Sequence, residues 1–157
     1  MSEATPPSRF PWPPLIVIAA LAAAVLLGRF VPLSWIPAPL SDMLLAIGCV
    51  AIAAALLMDV MAWRTLRRHK TTVLPHRAST HLVTDGPFAI TRNPIYVGYV
   101  TILIGLGLIL GNVWFLATAL AAGFAFQKLA IEREERHLDT HFTKRWRDYS
   151  KRVRRWL

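Results

Sequence analysis

Four long apolar runs alternate with shorter polar stretches along the chain. They cover Pro14 to Leu33, Leu40 to Trp63, Pro94 to Leu110 and Val113 to Ile131. Each is close to the ~20 residues that a helix needs to cross a bilayer. The pattern predicts an all-α fold: one polytopic membrane domain over 1–157 with about four transmembrane helices, a polar loop at 64–93 and a polar helical tail at 132–157. Arg29 interrupts the first run near its end, where its stem can stay in the apolar zone while the guanidinium reaches the interface. Trp12 and Trp35 flank that run, as interfacial aromatics do. Only Gly111-Asn112 separates the last two runs, so they form a tight hairpin. At ~1.5 Å per residue each arm is about 25–28 Å long. Arg92, just before one arm, and Glu134, just after the other, must therefore emerge at the same face of the membrane.

Charge gives the expected orientation. The chain is 55% hydrophobic and 17% charged, with a net charge of +9, and its Lys and Arg cluster at 64–92 and 128–155. The loop around Val31 to Ser41 carries almost none. The positive-inside rule then places the 64–93 loop, the tail and the N-terminus in the cytoplasm, as for a bacterial inner-membrane protein. Basic clusters that abut apolar spans suit anionic headgroups, and no nucleic-acid motif accompanies them. The lone cysteine, Cys49, rules out an internal disulfide and a cysteine metal cluster. No cleavable signal sequence is evident. Gly98, Gly105, Gly107, Gly111, Gly123 and the alanines at 117, 119, 121 and 122 allow helices to approach closely in lipid. Past Ile131 the pattern predicts a helix continuing the last span, then an amphipathic piece whose Trp146, Tyr149 and Trp156 lie on the headgroups. The sequence marks no oligomer interface.

The stretch "DGPFAITRNPIYVGY" (85–99) carries the candidate chemistry. Each residue has a structural reading. Asp85-Gly86-Pro87 is a turn, Asn93 an N-cap, Pro94 a first helical residue, Tyr96 and Tyr99 interfacial aromatics, and Gly98 a packing position. Glu134 and Glu135 weigh against packing alone, because acids stand where positive-inside favours cations. They either pair with Arg133 and Arg136 or, carried round by the hairpin, join Arg92, Asn93 and Tyr96. The second arrangement sets a guanidinium, an amide, a phenol and two carboxylates at one helix N-terminus. A ligand bearing both an ammonium and a carboxylate would find partners there. Asp59 is a costly acid inside an apolar run, paired with Arg64 or Arg92 or part of a site. His137, His141 and Asp139 have a faint metal-ligand spacing without a third placed ligand, and His76 and His81 read as loop residues; no metal is expected.

Four segments carry a family resemblance: "KTTVLP" (70–75), "LVTDGPFAITRNPIYVGY" (82–99), "EERHLDTHF" (134–142) and the terminal "RVRRWL". Together, over about residues 60–157, they resemble the bacterial members of the isoprenylcysteine carboxyl methyltransferase and phospholipid methyltransferase group. The resemblance implies an integral-membrane methyltransferase that uses S-adenosylmethionine in a cytosol-facing pocket, with a lipid-side tunnel for the acceptor. It carries cofactor binding onto Gly86, Pro87, Arg92, Asn93, Pro94, Tyr96, Gly98, Glu134 and Glu135, and catalysis onto Arg92, Glu135 and Tyr96. Eukaryotic members usually have His at the place of Asn93, and many relatives have Gly and Tyr where Thr143 and Trp146 stand.

Methyl transfer is an in-line displacement at a sulfonium and needs alignment in a dry pocket. Tyr96 and Phe88 offer aromatic faces to the sulfonium. Glu134 or Glu135 suits an ammonium or ribose hydroxyls, and Arg92 a carboxylate. An amine acceptor needs a base, and none stands out. The expected acceptor is therefore a small lipophilic carboxylate of isoprenylcysteine type. A phospholipid amine and a non-catalytic lipid-binding scaffold are the alternatives.

Overall fold

The computed structural model describes residues 11–69 and 82–157. The 70–75 motif, His76, Arg77 and His81 lie outside the described residues. Five helices follow in order: α1 (Trp12–Phe30), α2 (Leu40–Arg68), α3 (Pro94–Leu110), α4 (Val113–Phe126) and α5 (Glu132–Arg152). A 3₁₀ turn at Gly86–Ala89 precedes α3. One π-helical turn at Gln127–Ile131 carries α4 directly into α5. Among the described residues the only extended pairing is a parallel bridge between Thr91 and Arg154.

The protein is an all-α polytopic membrane protein. α1, α2 and the α4–α5 rod are long and apolar enough to cross a bilayer, and α3, at 17 residues, is a shorter apolar helix. Phe30, Val50, Leu57, Leu120 and Phe124 are all mostly exposed. In water that surface would drive aggregation, whereas against acyl chains it costs nothing.

Three span boundaries differ from expectation, both ends of α1 and the end of α2. α1 starts at Trp12 because Pro13 suits a first turn that needs no N–H from it, and it ends at Phe30. α2 runs to Arg68 rather than Trp63, since nothing from Ala62 to Arg68 breaks a helix and Arg67 and Arg68 favour its C-terminal end.

The helices pack in the order α1, α4, α3, α2, with the α3–α4 hairpin at the centre. Gly111 closes α3 in the left-handed conformation (φ 60°), and Asn112 caps α4 by accepting from the Trp114 N–H at 3.0 Å. Trp35 lies over Gly111, leaving no room there for a side chain. Trp114 Nε1 donates to the Val31 carbonyl at 2.7 Å and ties the end of α1 to the start of α4. Along the α2–α3 seam Gly48 meets Gly105 backbone to backbone: a Cβ on Gly48 would sit 2.7 Å from the Gly105 oxygen.

The tail does not lie on the headgroups. Thr143 breaks the helical path of α5 with φ 41° and ψ −107°, and the chain beyond it turns back over the end of the bundle. Trp146 and Tyr149 are buried, 6% and 3% exposed, and Trp156 packs on the central core while its Nε1 donates to Gln127 Oε1 at 3.1 Å. Burying these large aromatic faces against protein outweighs leaving them at an interface.

Candidate active site

The open ends of the hairpin, the 86–93 segment and the returning tail meet at one end of the molecule. Gly86, with φ 59°, starts the 3₁₀ turn in a conformation that side chains resist, and faces Thr65 of α2. Pro87 is buried beneath that turn. Pro94 is the first residue of α3, where a missing N–H costs nothing.

Asn93 occupies the N-cap position, but its side chain does not cap the helix. Its Nδ2 donates to the Arg155 carbonyl at 2.9 Å instead. Thr91 Oγ1 donates to the same carbonyl at 3.2 Å, and the Arg92 N–H donates to the Arg154 carbonyl at 2.9 Å. Tyr149 donates its hydroxyl to the Phe88 carbonyl at 2.7 Å, and burial pushes its phenol up to about 12. Asp85 marks the outer edge of the segment. His69 lies 2.9 Å from it at the end of α2, and their hydrogen bond holds the Asp85 carboxyl below the usual range.

The hairpin brings the charged candidates together in two groups. Arg92 Nη1 lies 3.0 Å from Glu135 Oε1. The opposite side of the same carboxylate is held by Arg155, with Nη2 at 2.6 Å from Oε2 and Nε at 3.1 Å from Oε1. Beside this trio, Tyr96 donates its hydroxyl to Glu134 Oε1 at 2.7 Å. Glu134 has no cation to balance it in these contacts. Desolvation, reinforced by the Glu135 charge, holds its carboxyl above the ordinary range despite the Tyr96 hydrogen bond. The glutamates thus pair across the hairpin and not with Arg133 or Arg136. The π turn at 127–131 helps to set the face that α5 presents, because its extra residue rotates everything downstream.

The aromatic neighbours divide the same way. The Arg92 guanidinium lies 5.5 Å from the Trp146 ring centroid. Tyr96 packs on Phe126 with centroids 5.1 Å apart. Gly98 is the candidate that the fold keeps away from the glutamates. Two residues on from Tyr96 it points to the other side of α3, where a side chain would collide with the Asp59 carboxylate. Asp59 pairs with neither Arg64 nor Arg92; its Oδ1 is buried with no hydrogen-bond partner among the described residues. His137 and His141 stack with centroids 6.0 Å apart, and among the described residues no three His, Cys, Asp or Glu come together. Residue-by-residue reading had missed Arg155, Thr91, Trp146 and Tyr149 as parts of this end. The signal available was the terminal "RVRRWL", whose basic and aromatic residues had a sufficient explanation at a membrane surface.

At the open end of the helical hairpin, Arg-Asn-Pro-x-Tyr at one base thus meets Glu-Glu at the other. The chain belongs to the phospholipid methyltransferase family, whose profile matches residues 43–145. It is also similar to the nickel-cobalt-cadmium resistance protein NccN of Alcaligenes xylosoxydans xylosoxydans, with 29% identity over 138 residues, 88% of this chain. The match covers 59% of that relative, so the chain spans about three fifths of its length. No solved structure matches.

Proposed function

We propose that the protein transfers the methyl group of S-adenosylmethionine to a lipophilic acceptor taken from the bilayer, with its basic end and both termini on the cytoplasmic side of a bacterial inner membrane. The observation that carries this reading is the pair of adjacent contacts at the hairpin base, Tyr96 to Glu134 and Arg92 to Glu135. The cofactor carries an ammonium, a carboxylate and ribose hydroxyls, and the donor set suits all three. Glu134 is an acid without a cation. Arg92 Nε is a buried donor with no hydrogen-bond partner among the described residues. Gly86, Pro87, Asn93 and Pro94 complete the set carried over from the resemblance, Glu135 joining them as the anchor of Arg92, while Gly98 faces Asp59 and stands apart from it.

When bound, S-adenosylmethionine supplies an electrophilic methyl group on a sulfonium. The protein's own share is alignment and dryness. Tyr96 fixes Glu134 and offers its ring to a cation. Glu135 and Trp146 hold Arg92 in one orientation. The returned tail covers the end of the bundle and excludes water. A carboxylate acceptor of isoprenylcysteine type would need a cation of its own, and Arg92 and Arg155 are both engaged by Glu135. That engagement and the family match favour a phospholipid amine.

Binding of labelled S-adenosylmethionine to protein in lipid nanodiscs tests the reading. Saturable binding is expected for the wild type, weakened about tenfold or more by Arg92→Ala and by Glu135→Gln, since each leaves a buried charged partner unmatched. A wild type without saturable binding would sink it.

A further inference from the structure

Among the described residues, Asp59 is the one charge in a seam built to be small and apolar. Gly48, Ile52, Ala55, Asp59, Ala62 and Leu66 recur at intervals of three and four along α2. This is the stripe that faces α3 where Gly48 and Gly105 touch. Asp59 occupies a position whose neighbours in the repeat are alanines. An acid in such a place, with no ion-pair partner among the described residues, is expensive. The seam has also been shaped around it, since Gly98 leaves the carboxylate the space that any side chain would take.

The surroundings say which ligand would repay that cost. The Arg92 and Arg155 guanidiniums are spent on Glu135. Arg64, one turn beyond Asp59 on α2, is exposed and makes no ion pair with it among the described residues. Tyr99 directly follows Gly98, the residue against which the Asp59 carboxylate lies. At 100° per residue, Tyr99 lies between Gly98 and Tyr96 around α3. Its ring packs on Phe126 at 5.9 Å, the same ring that supports Tyr96. Phe126 thus links Tyr96, the partner of Glu134, with Tyr99, the residue after Gly98.

We propose that Asp59, with Tyr99 following the glycine it touches, forms the acceptor-side subsite of the enzyme and holds the ammonium head of an amine lipid. This rests on the methyltransferase reading and adds to it a residue that selects the acceptor by charge. A cation beside Asp59 gains an ion pair in a low-dielectric seam and an aromatic face from Tyr99. An anionic acceptor meets repulsion from Asp59 at the same place. As a positioning residue, Asp59 acts before any methyl group moves, so its effect is measurable without the cofactor.

The test uses the full-length protein in mixed micelles offered equal amounts of phosphatidylethanolamine and phosphatidylglycerol, with retained lipid read by native mass spectrometry. Wild type, Asp59→Asn and Asp59→Glu are compared, and S-adenosylmethionine binding is measured on the same samples. The expected result is a preference for the ethanolamine lipid in the wild type. Asp59→Asn should lose it by about tenfold or more, while Asp59→Glu keeps part of it and all three bind the cofactor equally. Equal lipid preference in wild type and Asp59→Asn overturns the inference, as does a wild type with no preference. Should Asp59→Asn fail to fold, Asp59→Glu that folds and has no residual preference also overturns it. Loss of preference in Asp59→Asn, in a protein that does not bind S-adenosylmethionine at all, would keep the amine subsite and remove the enzyme reading, so the two fail separately.

Discussion

Glu135 shares its carboxylate between two guanidiniums, whereas its neighbour Glu134 has the Tyr96 hydroxyl. The difference has a consequence for pH. Burial raises the Glu134 carboxyl above 4.5, so the folded chain keeps a proton that the unfolded chain releases once the pH passes that value. Stability therefore falls as pH rises from 4.5 to the raised folded value, and the loss stays in place at neutral pH. Glu134→Gln keeps an acceptor for Tyr96 and removes the charge. Its melting temperature in detergent should exceed the wild type's at neutral pH and match it below 4.5, while S-adenosylmethionine binding falls. Thr143 is strained in another way. A β-branched residue at φ 41° is sterically disfavoured, and glycine, which the resemblance puts there in many relatives, is not. Thr143→Gly should raise stability by about 1 kcal/mol in a denaturant titration, with the bend in α5 preserved.

Between elements, equal glycines do unequal work. Gly48 is held against the Gly105 carbonyl by backbone, which cannot rotate away. Gly123 has only Val100 Cγ2, at 3.6 Å, within reach of an added carbon. Gly48→Ala should cost about 1–3 kcal/mol as α2 and α3 are pushed apart. Gly123→Ala should be neutral or stabilise α4 by about 0.5–1 kcal/mol through helix propensity. Thermal unfolding of the two variants side by side checks the pair. In the sequence both sit in apolar runs with the same small-residue look, because spacing shows which residues share a face and not what stands opposite. The π turn at 127–131 was equally invisible, since nothing in Gln127-Lys128-Leu129-Ala130-Ile131 distinguishes it from an ordinary turn of helix.

For the molecule as a whole, Arg154, Arg155 and Trp156 help to build the candidate site. Arg154 and Arg155 offer their carbonyls to Arg92, Thr91 and Asn93, Arg155 clamps Glu135, and Trp156 reaches Gln127. A chain ending at Val153 should remain helical by circular dichroism. It should lose about tenfold or more in S-adenosylmethionine affinity, because several hydrogen bonds that position Arg92 and Glu135 vanish together. Unchanged affinity would make the tail a cover without a positioning role.

The number of apolar runs, the hairpin at Gly111-Asn112 and the arrival of Arg92 and Glu134 at one end were determined by the sequence alone. Each depends on local quantities: hydrophobic length, turn chemistry and rise per residue. The tertiary structure decided which charge meets which. Glu135 takes Arg155 from beyond the kink at Thr143, Asn93 holds the tail in place of capping α3, and Asp59 faces Gly98. Those pairings depend on helix rotation, on a π turn and on a backbone reversal. Each moves a side chain by a large fraction of a turn while leaving the hydrophobic pattern that the sequence displays unchanged.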